Sequence, residues 1–463
     1  MRPSLLFFIF VPVALLAGFL VPQYPASLLL WGLLALAIFI LSFINIEWGL
    51  YILIFSMLLS PEISLGQTSG SSLGRGVTLR FEDFLLIVIS LSWFAKNAIY
   101  KELGLFRKTP LNKAILFYVL ICILSTCLGT IEGRVETKTG ALFILKYIEY
   151  FIVFFMVINH VKDEEQVKRF LFCLFLTCFI TAIVGILQIP GGERVSAPFE
   201  GETGEPNTFG GYLLLIGFVA VGILTKAKDQ KIRKLLILLI IVIIPPFLFT
   251  QSRASFLALI LASMTLSLMV KRRMLILGLL IISLILSPLF LPDSVKKRVL
   301  HTFTQTEEAG QITIGGLRLD TSTSVRLVSW RDAMKNWLKY PILGHGVTGY
   351  SFVDAQYPRV LTETGILGFM AFMYLLFSIF RLAVNNLRTV TTPHFIGLCM
   401  GFLTGYIGLL VHALAANTFI IVRIMEPFWF FVGIVAVLPE LERQGVTEVQ
   451  TDEVPRRKFF AVS

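Results

Sequence analysis

Residues 235–270 read LLILLIIVIIPPFLFTQSRASFLALILASMTLSLMV, from Leu235 to Val270. Two apolar runs of helix length are separated only by Thr250-Gln251-Ser252-Arg253. A bilayer core about 30 Å thick needs about 20 apolar residues per helix, because every backbone N–H and C=O must be satisfied within its own segment. The stretch therefore reads as a hairpin of two membrane spans with an arginine at its tip. The pattern recurs along the chain, with fourteen candidate spans near residues 5–21, 27–44, 48–60, 83–99, 114–128, 141–158, 170–189, 208–225, 235–250, 254–270, 274–291, 365–384, 395–415 and 419–438. Composition agrees: 56% of the 463 residues are hydrophobic and 15% charged, against about 25% charged in a soluble chain. Soluble multidomain, disordered, collagen-like and disulfide-rich secreted classes are excluded. The expected fold is all-α, a polytopic transmembrane helical bundle of about 12–14 spans.

The formal charge of +11 suggests nucleic acid only if the cations share one solvated face. They sort by topology instead. With the amino terminus inside, alternate connections hold 23 lysines and arginines, against six in the short outer loops: Arg75, Arg80, Arg134, Lys138, Arg194 and Arg253. That asymmetry places both termini in the cytoplasm and points to no nucleic-acid partner. The opening segment Leu5–Leu20 follows Arg2 as in a signal peptide, but shows no small-residue cleavage pattern and reads as a retained helix.

The resulting organisation is 1–291 with eleven spans, 292–364 as one large outer loop, 365–438 with the remaining spans, and 439–463 as a cytoplasmic tail. Within the large loop, Val325, Val328, Trp330, Met334, Trp337 and Leu338 recur at three- and four-residue steps. This predicts a surface helix over 324–340, capped from Thr321-Ser322-Thr323-Ser324 and ended by Pro341.

Three polar constellations fall on the outer side. In the first, Gly191-Gly192-Glu193-Arg194 leads to Glu205-Pro206-Asn207-Thr208-Phe209, where Asn207 is placed to cap a helix whose outward N–H groups suit an anion. The second is Thr250-Gln251-Ser252-Arg253; a guanidinium so near hydrocarbon calls for an anionic partner or ligand, and its fork matches phosphate oxygens. The third runs from Arg326 through Pro341-Ile342-Leu343-Gly344-His345-Gly346 and Asp354-Ala355-Gln356-Tyr357 to Glu363-Thr364-Gly365-Ile366-Leu367-Gly368. His345 sits among glycines that permit tight turns, facing a ligand or merely filling a bend. Asp354 and Glu363 are carboxylates able to accept a proton from an attacking hydroxyl.

The other polar residues read as structural. Lys146 with Glu149, and Arg423 with Glu426, stand three apart inside spans and read as intrahelical pairs. His412 reads as a packing residue. The five cysteines lie in apolar runs, and no metal-ligand spacing emerges, so no metal and no cofactor is expected. Gly70-Ser71-Ser72-Leu73-Gly74-Arg75-Gly76 lacks the Gly-Lys-Ser/Thr ending of a nucleotide loop and reads as a flexible outer loop.

At the three constellations the chain resembles the O-antigen ligase/O-antigen polymerase superfamily of bacterial envelope glycosyltransferases. Glu205-Pro206-Asn207-Thr208-Phe209 looks like its Pro-Asn helix entry, Thr250-Gln251-Ser252-Arg253 like its Ser-Arg motif, and Pro341 to Gly346 with Glu363 to Gly368 like the end of its large loop. The resemblance implies an inner-membrane enzyme, active on the periplasmic side without metal or nucleotide. Such enzymes move a glycan from undecaprenyl pyrophosphate to the hydroxyl of an acceptor glycan or glycolipid, in lipopolysaccharide or other polysaccharide biosynthesis. It implies that Arg194 and Arg253 hold the pyrophosphate, with membrane lipid around the polyprenyl tail; from the residues themselves, Asn207 and Arg326 are further binding candidates. Asp354, His345 and Glu363 are the catalytic candidates. Where ligases commonly carry His-Asn before a tyrosine, this chain has Asp354-Ala355-Gln356-Tyr357, so ligation and polymerisation both stay open. From other classes, a solute transporter is the alternative, suggested by Pro245-Pro246 within a span, together with a non-catalytic polysaccharide export component.

Overall fold

A computed structural model of the chain describes residues 26–63, 79–100, 107–199, 204–270, 278, 313–314, 317–318, 321–351 and 353–452. The expected spans at 5–21 and 274–291, the glycine-rich 70–76 segment and most of 292–320 lie outside the described residues.

The described chain is helical apart from two pairs of two-residue strands, Glu62–Ile63 with Leu79–Arg80 and Thr313–Ile314 with Leu317–Arg318. Its helices are α1 (Ala26–Ile44), α2 (Ile46–Leu59), α3 (Phe81–Tyr100), α4 (Asn112–Ile131), α5 (Thr137–His160), α6 (Glu164–Gln188), α7 (Pro206–Lys226), α8 (Gln230–Phe249), α9 (Arg253–Met269), α10 (Thr321–Trp337), α11 (Gln356–Thr389), α12 (Pro393–His412) and α13 (Val422–Asp452). Eight of them, α4 to α8 and α11 to α13, are long and apolar enough to cross a membrane, and α1, α2 and α9 contain shorter apolar segments. Polar residues mark the reversals. Asn45, Asp163, Asp229 and Ser252 accept hydrogen bonds from the first-turn amides of α2, α6, α8 and α9, satisfying N–H groups that have no partner inside the helix. Helix α8 continues through Pro245-Pro246 to Phe249, so the prolines lie within the last turns of the span and do not end it.

Helix α13 lies at the centre, its Phe428, Phe430 and Phe431 wholly buried, whereas α8 turns Leu235, Leu238, Ile241 and Ile244 outward. Helices α7 and α12 cross at backbone contact: a Cβ on Gly222 would stand 2.4 Å from the Gly401 Cα and 2.5 Å from the Gly397 carbonyl oxygen. Lipid tails are as apolar as leucine, so helices in a bilayer associate through such close van der Waals approach. The connections sort to two ends. Ser60 reaches Glu82, Arg194 reaches Thr250 and Arg423 reaches Pro198 at one end, the site end. Lys96 reaches Ile44 and Arg107 reaches Ile158 at the other.

Helix α10 begins three residues earlier than expected, taking Thr321 to Ser324 into its first turn, and stops at Trp337. Its Ser324 and Ala333 are buried, while Val325, Val328 and Met334 are exposed, the asymmetry of a helix with one apolar face turned away from the bundle.

Candidate active site

The site end is organised by the turn between α8 and α9. The Thr250 hydroxyl donates to the Phe247 carbonyl at 2.7 Å and accepts from the Ser252 amide at 3.3 Å. Gln251 takes a positive φ of 50°, and the Ser252 side chain caps α9 through the Ser255 amide at 3.2 Å. Arg253 is thereby the first residue of α9, at the helix end where unpaired N–H groups carry partial positive charge.

Arg194 joins this turn from the α6–α7 connection. Its Nε donates to the Thr250 carbonyl at 2.9 Å, and the Val195 amide donates to the Phe249 carbonyl at 3.0 Å. Gln188 holds the same loop by a two-way amide contact with Ser196, 3.0 and 3.1 Å. Two arginines far apart in sequence are thus anchored on one four-residue turn.

Helix α7 packs its first turns against the same place. A Cβ on Gly210 would meet the Ser255 Oγ at 2.3 Å, and one on Gly211 the His412 Cε1 at 3.3 Å. Asn207 is not the cap it reads as in the sequence. Pro206 takes the first helical position, where its missing N–H is no loss, so Glu205 becomes the cap and Asn207 the second helical residue. The Glu205 carboxylate accepts from the Thr208 hydroxyl at 3.2 Å.

His412 ends α12 beside the Asn207 backbone and within the field of Arg326. Its Nδ1 meets the Thr418 hydroxyl at 2.8 Å, while the buried Nε2 has no hydrogen-bond partner among the described residues. Arg326 in turn pairs with Asp354 at 3.3 Å, with the Asp354 side chain 43% exposed. The segment after Asp354 is fixed to the α12–α13 turn: the Gln356 amide donates to Ala413, Gln356 Oε1 accepts from the Phe419 amide, and the Tyr357 hydroxyl donates to Leu410. The structure therefore anchors Arg194 on the turn that leads into Arg253, and sets the Asn207 backbone and the Arg326–Asp354 pair on the side of His412. Sequence reasoning had set His412 aside, and only its position one helix end from Asn207 reveals it.

His345 and Glu363 belong to a different set. The His345 ring lies between Tyr340 and Tyr350, centroids 4.8 and 5.4 Å away, with Nε2 3.1 Å from the Asn336 carbonyl. Burial lowers its pKa, with the charges of Arg134 and Lys339 acting in the same direction and the Asn336 carbonyl opposing. Glu363 accepts from Arg359 Nε at 3.0 Å and from the Thr348 amide at 3.2 Å. Both residues brace a kink in α11 at Gly365. There the His345 and Gly346 amides donate to the Thr362 and Glu363 carbonyls, and the Ile366 and Leu367 amides donate to Pro341 and Ile342. The segments 341–346 and 362–367 thus interlock, each satisfying backbone groups that the other leaves open. Arg134 latches the assembly from the α4–α5 turn, donating to the Gly344 carbonyl at 2.9 Å and lying 3.9 Å over the Tyr340 ring.

Lys146 lies 3.4 Å from Glu149, the expected intrahelical pair. Arg423 instead donates to the carbonyls of Ser60, Pro198 and Phe199, and neither Glu426 oxygen accepts a hydrogen bond among the described residues. Inside the bundle, unpaired backbone carbonyls compete with carboxylates for a guanidinium.

These features define a multi-pass helical membrane protein with arginines and helix N-termini converging at one end. Residues 235–373 match the family model described as O-antigen ligase. This part of the chain is thus similar to the O-antigen ligase/polymerase superfamily. It contains Arg253, Arg326, His345, Asp354 and Glu363, and leaves Arg194, Asn207 and His412 outside. No curated protein matches the chain.

Proposed function

We propose that the chain moves a glycan from undecaprenyl pyrophosphate to an acceptor hydroxyl at the site end of the bundle. The single observation that carries this reading is the anchoring of Arg194 on the carbonyl of Thr250, three residues before Arg253. The two guanidinium groups and the N-termini of α7 and α9 are suited to a diphosphate, whose negative charge grows as the sugar departs. The carrier is already activated, so the protein's work is to stabilise that charge and to orient the hydroxyl. Asp354 is the proton acceptor for the hydroxyl, held by Arg326, while His412 stands beside the Asn207 backbone and within the field of Arg326. His345 and Glu363 serve the shape of the loop. Apolar side chains along the outer helices accommodate the polyprenyl tail. The excess of lysine and arginine at the opposite end supports a cytoplasmic opposite end and a periplasmic site in the inner membrane. Ligation and polymerisation share this chemistry and differ in the acceptor.

The test is transfer by the full chain in nanodiscs, given a pyrophosphate-linked oligosaccharide and candidate acceptors. A hydrogen bond to a charged group contributes about 1.5–3 kcal/mol, so Arg194→Gln and Arg253→Gln should each lower transfer about ten- to a hundredfold. A folded double variant that transfers at the wild-type rate would remove the diphosphate from this site.

A further inference from the structure

Beside the loop that carries Arg194, helices α3, α5 and α13 enclose a second group of charges. Glu82 and Asp83 open α3, Lys146 and Glu149 lie on α5, and Arg423 and Glu426 lie on α13. Glu82, Arg423 and Glu426 are wholly buried, and Asp83 and Lys146 nearly so. Ser60 donates its hydroxyl to Glu82, which also has Arg80 at 3.6 Å. Lys146 donates to Asp83 and faces Glu149. Among the described residues, four carboxylates therefore meet three cations, Arg80, Lys146 and Arg423.

Glu426 is the carboxylate left over. Neither of its oxygens accepts a hydrogen bond among the described residues, although no part of the residue is exposed. The charges acting on it are mainly of its own sign, Glu82, Glu149 and Asp83, against Lys146. Arg423 on the same helix is directed to backbone carbonyls. Tyr150 borders Glu149, while Tyr212 on α7 turns to Cys178 and Thr181, and Tyr406 on α12 donates to the Leu376 carbonyl. An ionised carboxylate without hydrogen bonds in such surroundings is strongly disfavoured, and a proton removes the penalty. A metal ion is a poorer occupant, because no group of three or more His, Cys, Asp or Glu is arranged to hold one among the described residues.

We propose that this cluster is a proton-binding site, in which Glu426 carries the one proton that balances the four carboxylates against the three cations among the described residues. The site is coupled to the Arg194 loop through Arg423, whose guanidinium holds the Pro198 and Phe199 carbonyls at 2.6 and 3.3 Å. Loss of the proton adds a negative charge one helical turn from Arg423 and draws the guanidinium away from those carbonyls. The proton thus keeps the loop clamped.

Infrared spectroscopy of the full chain in nanodiscs, without glycan, tests the site independently of glycan transfer. The wild type should show a protonated-carboxyl C=O band at neutral pH that shifts on exchange into D2O and is lost on alkaline titration. Glu426→Gln, which keeps the shape and removes the titrating group, should lose that band throughout. Glu82→Gln removes a like charge from beside Glu426, so the ionised form is reached more easily and the band should be lost at lower pH than in the wild type. A wild type without the band, or Glu426→Gln retaining it at full intensity, overturns the proposal. Should Glu426→Gln fail to fold, the Glu82→Gln titration decides: a band lost at lower pH than in the wild type supports the site, and an unmoved or raised midpoint, or no band at any pH, overturns it.

Discussion

The kink in α11 gives a prediction whose size follows from geometry. Gly365 has φ 64° and ψ −168°, a combination open essentially to glycine alone, and another residue there is strained by about 1–3 kcal/mol. A Cβ at this position would stand 2.3 Å from the Ile342 carbonyl oxygen, 2.4 Å from its carbon and 2.6 Å from the Gly344 nitrogen. All three are backbone atoms, so no rotamer change relieves the overlap. Separating them breaks first the bonds from the Ile366 amide to Pro341 and from the Leu367 amide to Ile342, at about 0.5–1.5 kcal/mol each. Gly365→Ala should therefore weaken the interlock by about 2–6 kcal/mol in total. Gly133 is the control: its φ is also positive, 71°, but nothing lies within 4 Å of its added Cβ, so Gly133→Ala carries only the left-handed backbone penalty of about 1–2 kcal/mol. Hydrogen exchange of the segments 341–346 and 362–367 in nanodiscs reads the effect directly, and Trp337, which donates to the Pro341 carbonyl at 3.0 Å, reports it by fluorescence. Exchange there should rise about 30-fold or more in Gly365→Ala, following from 2 kcal/mol, and stay near wild type in Gly133→Ala. Unchanged exchange in Gly365→Ala would show that the two motifs do not hold each other.

Two further outcomes separate chemistry from architecture. Asp354→Asn removes only a partly exposed ion pair with Arg326, worth at most about 1 kcal/mol, so the melting temperature should hardly move; transfer should fall about a hundredfold or more, as for loss of a general base, and an active Asp354→Asn variant would exclude that role. His345 has its pKa lowered by burial, below the ordinary value of about 6.5, so in this range the unfolded chain binds a proton that the folded chain resists. Stability is therefore full above about pH 6.5 and falls as the pH drops toward the folded value; His345→Gln should flatten that acid limb in melting curves, whereas an identical limb in the variant would assign it to other groups.

Much of the fold was legible because its signals are local. The apolar runs and the short Thr250–Arg253 turn each follow from neighbouring residues. The site was legible only in part. Arg194 and Arg253 could be chosen because each is a cation beside hydrocarbon, yet nothing in the chain between them says that one would bind the carbonyl of the other's turn. Asn207 is not the cap, which falls two positions earlier at Glu205, because the effect of Pro206 on the helix start outweighs the capping preference of asparagine. His345 and Glu363 drew notice through the glycines around them, and those glycines serve a backbone interlock. The Arg423–Glu426 spacing predicts a pair, but the carbonyls of the 198–199 segment come from far along the chain and take the guanidinium first.

The distance from packing to chemistry can be followed along α7 and α12. The helices run antiparallel and touch where Gly222 meets Gly401, at backbone distance. From Gly401 to His412 is eleven residues toward the site end, and from Gly222 back to Gly211 is also eleven, about 16 Å along each helix at 1.5 Å per residue. Equal legs measured from one contact bring the two positions level, and the Gly211 Cβ direction indeed ends 3.3 Å from the His412 ring. Four residues beyond Gly211 lies Asn207, whose backbone borders that imidazole. The first turn of α7 also rests on the turn that bears Thr250 and Arg253. A rigid glycine crossing deep in the bundle therefore fixes where the histidine stands relative to the arginines, although it shares no residue with the site. Neither helix carries this information alone, because the register exists only in the pair.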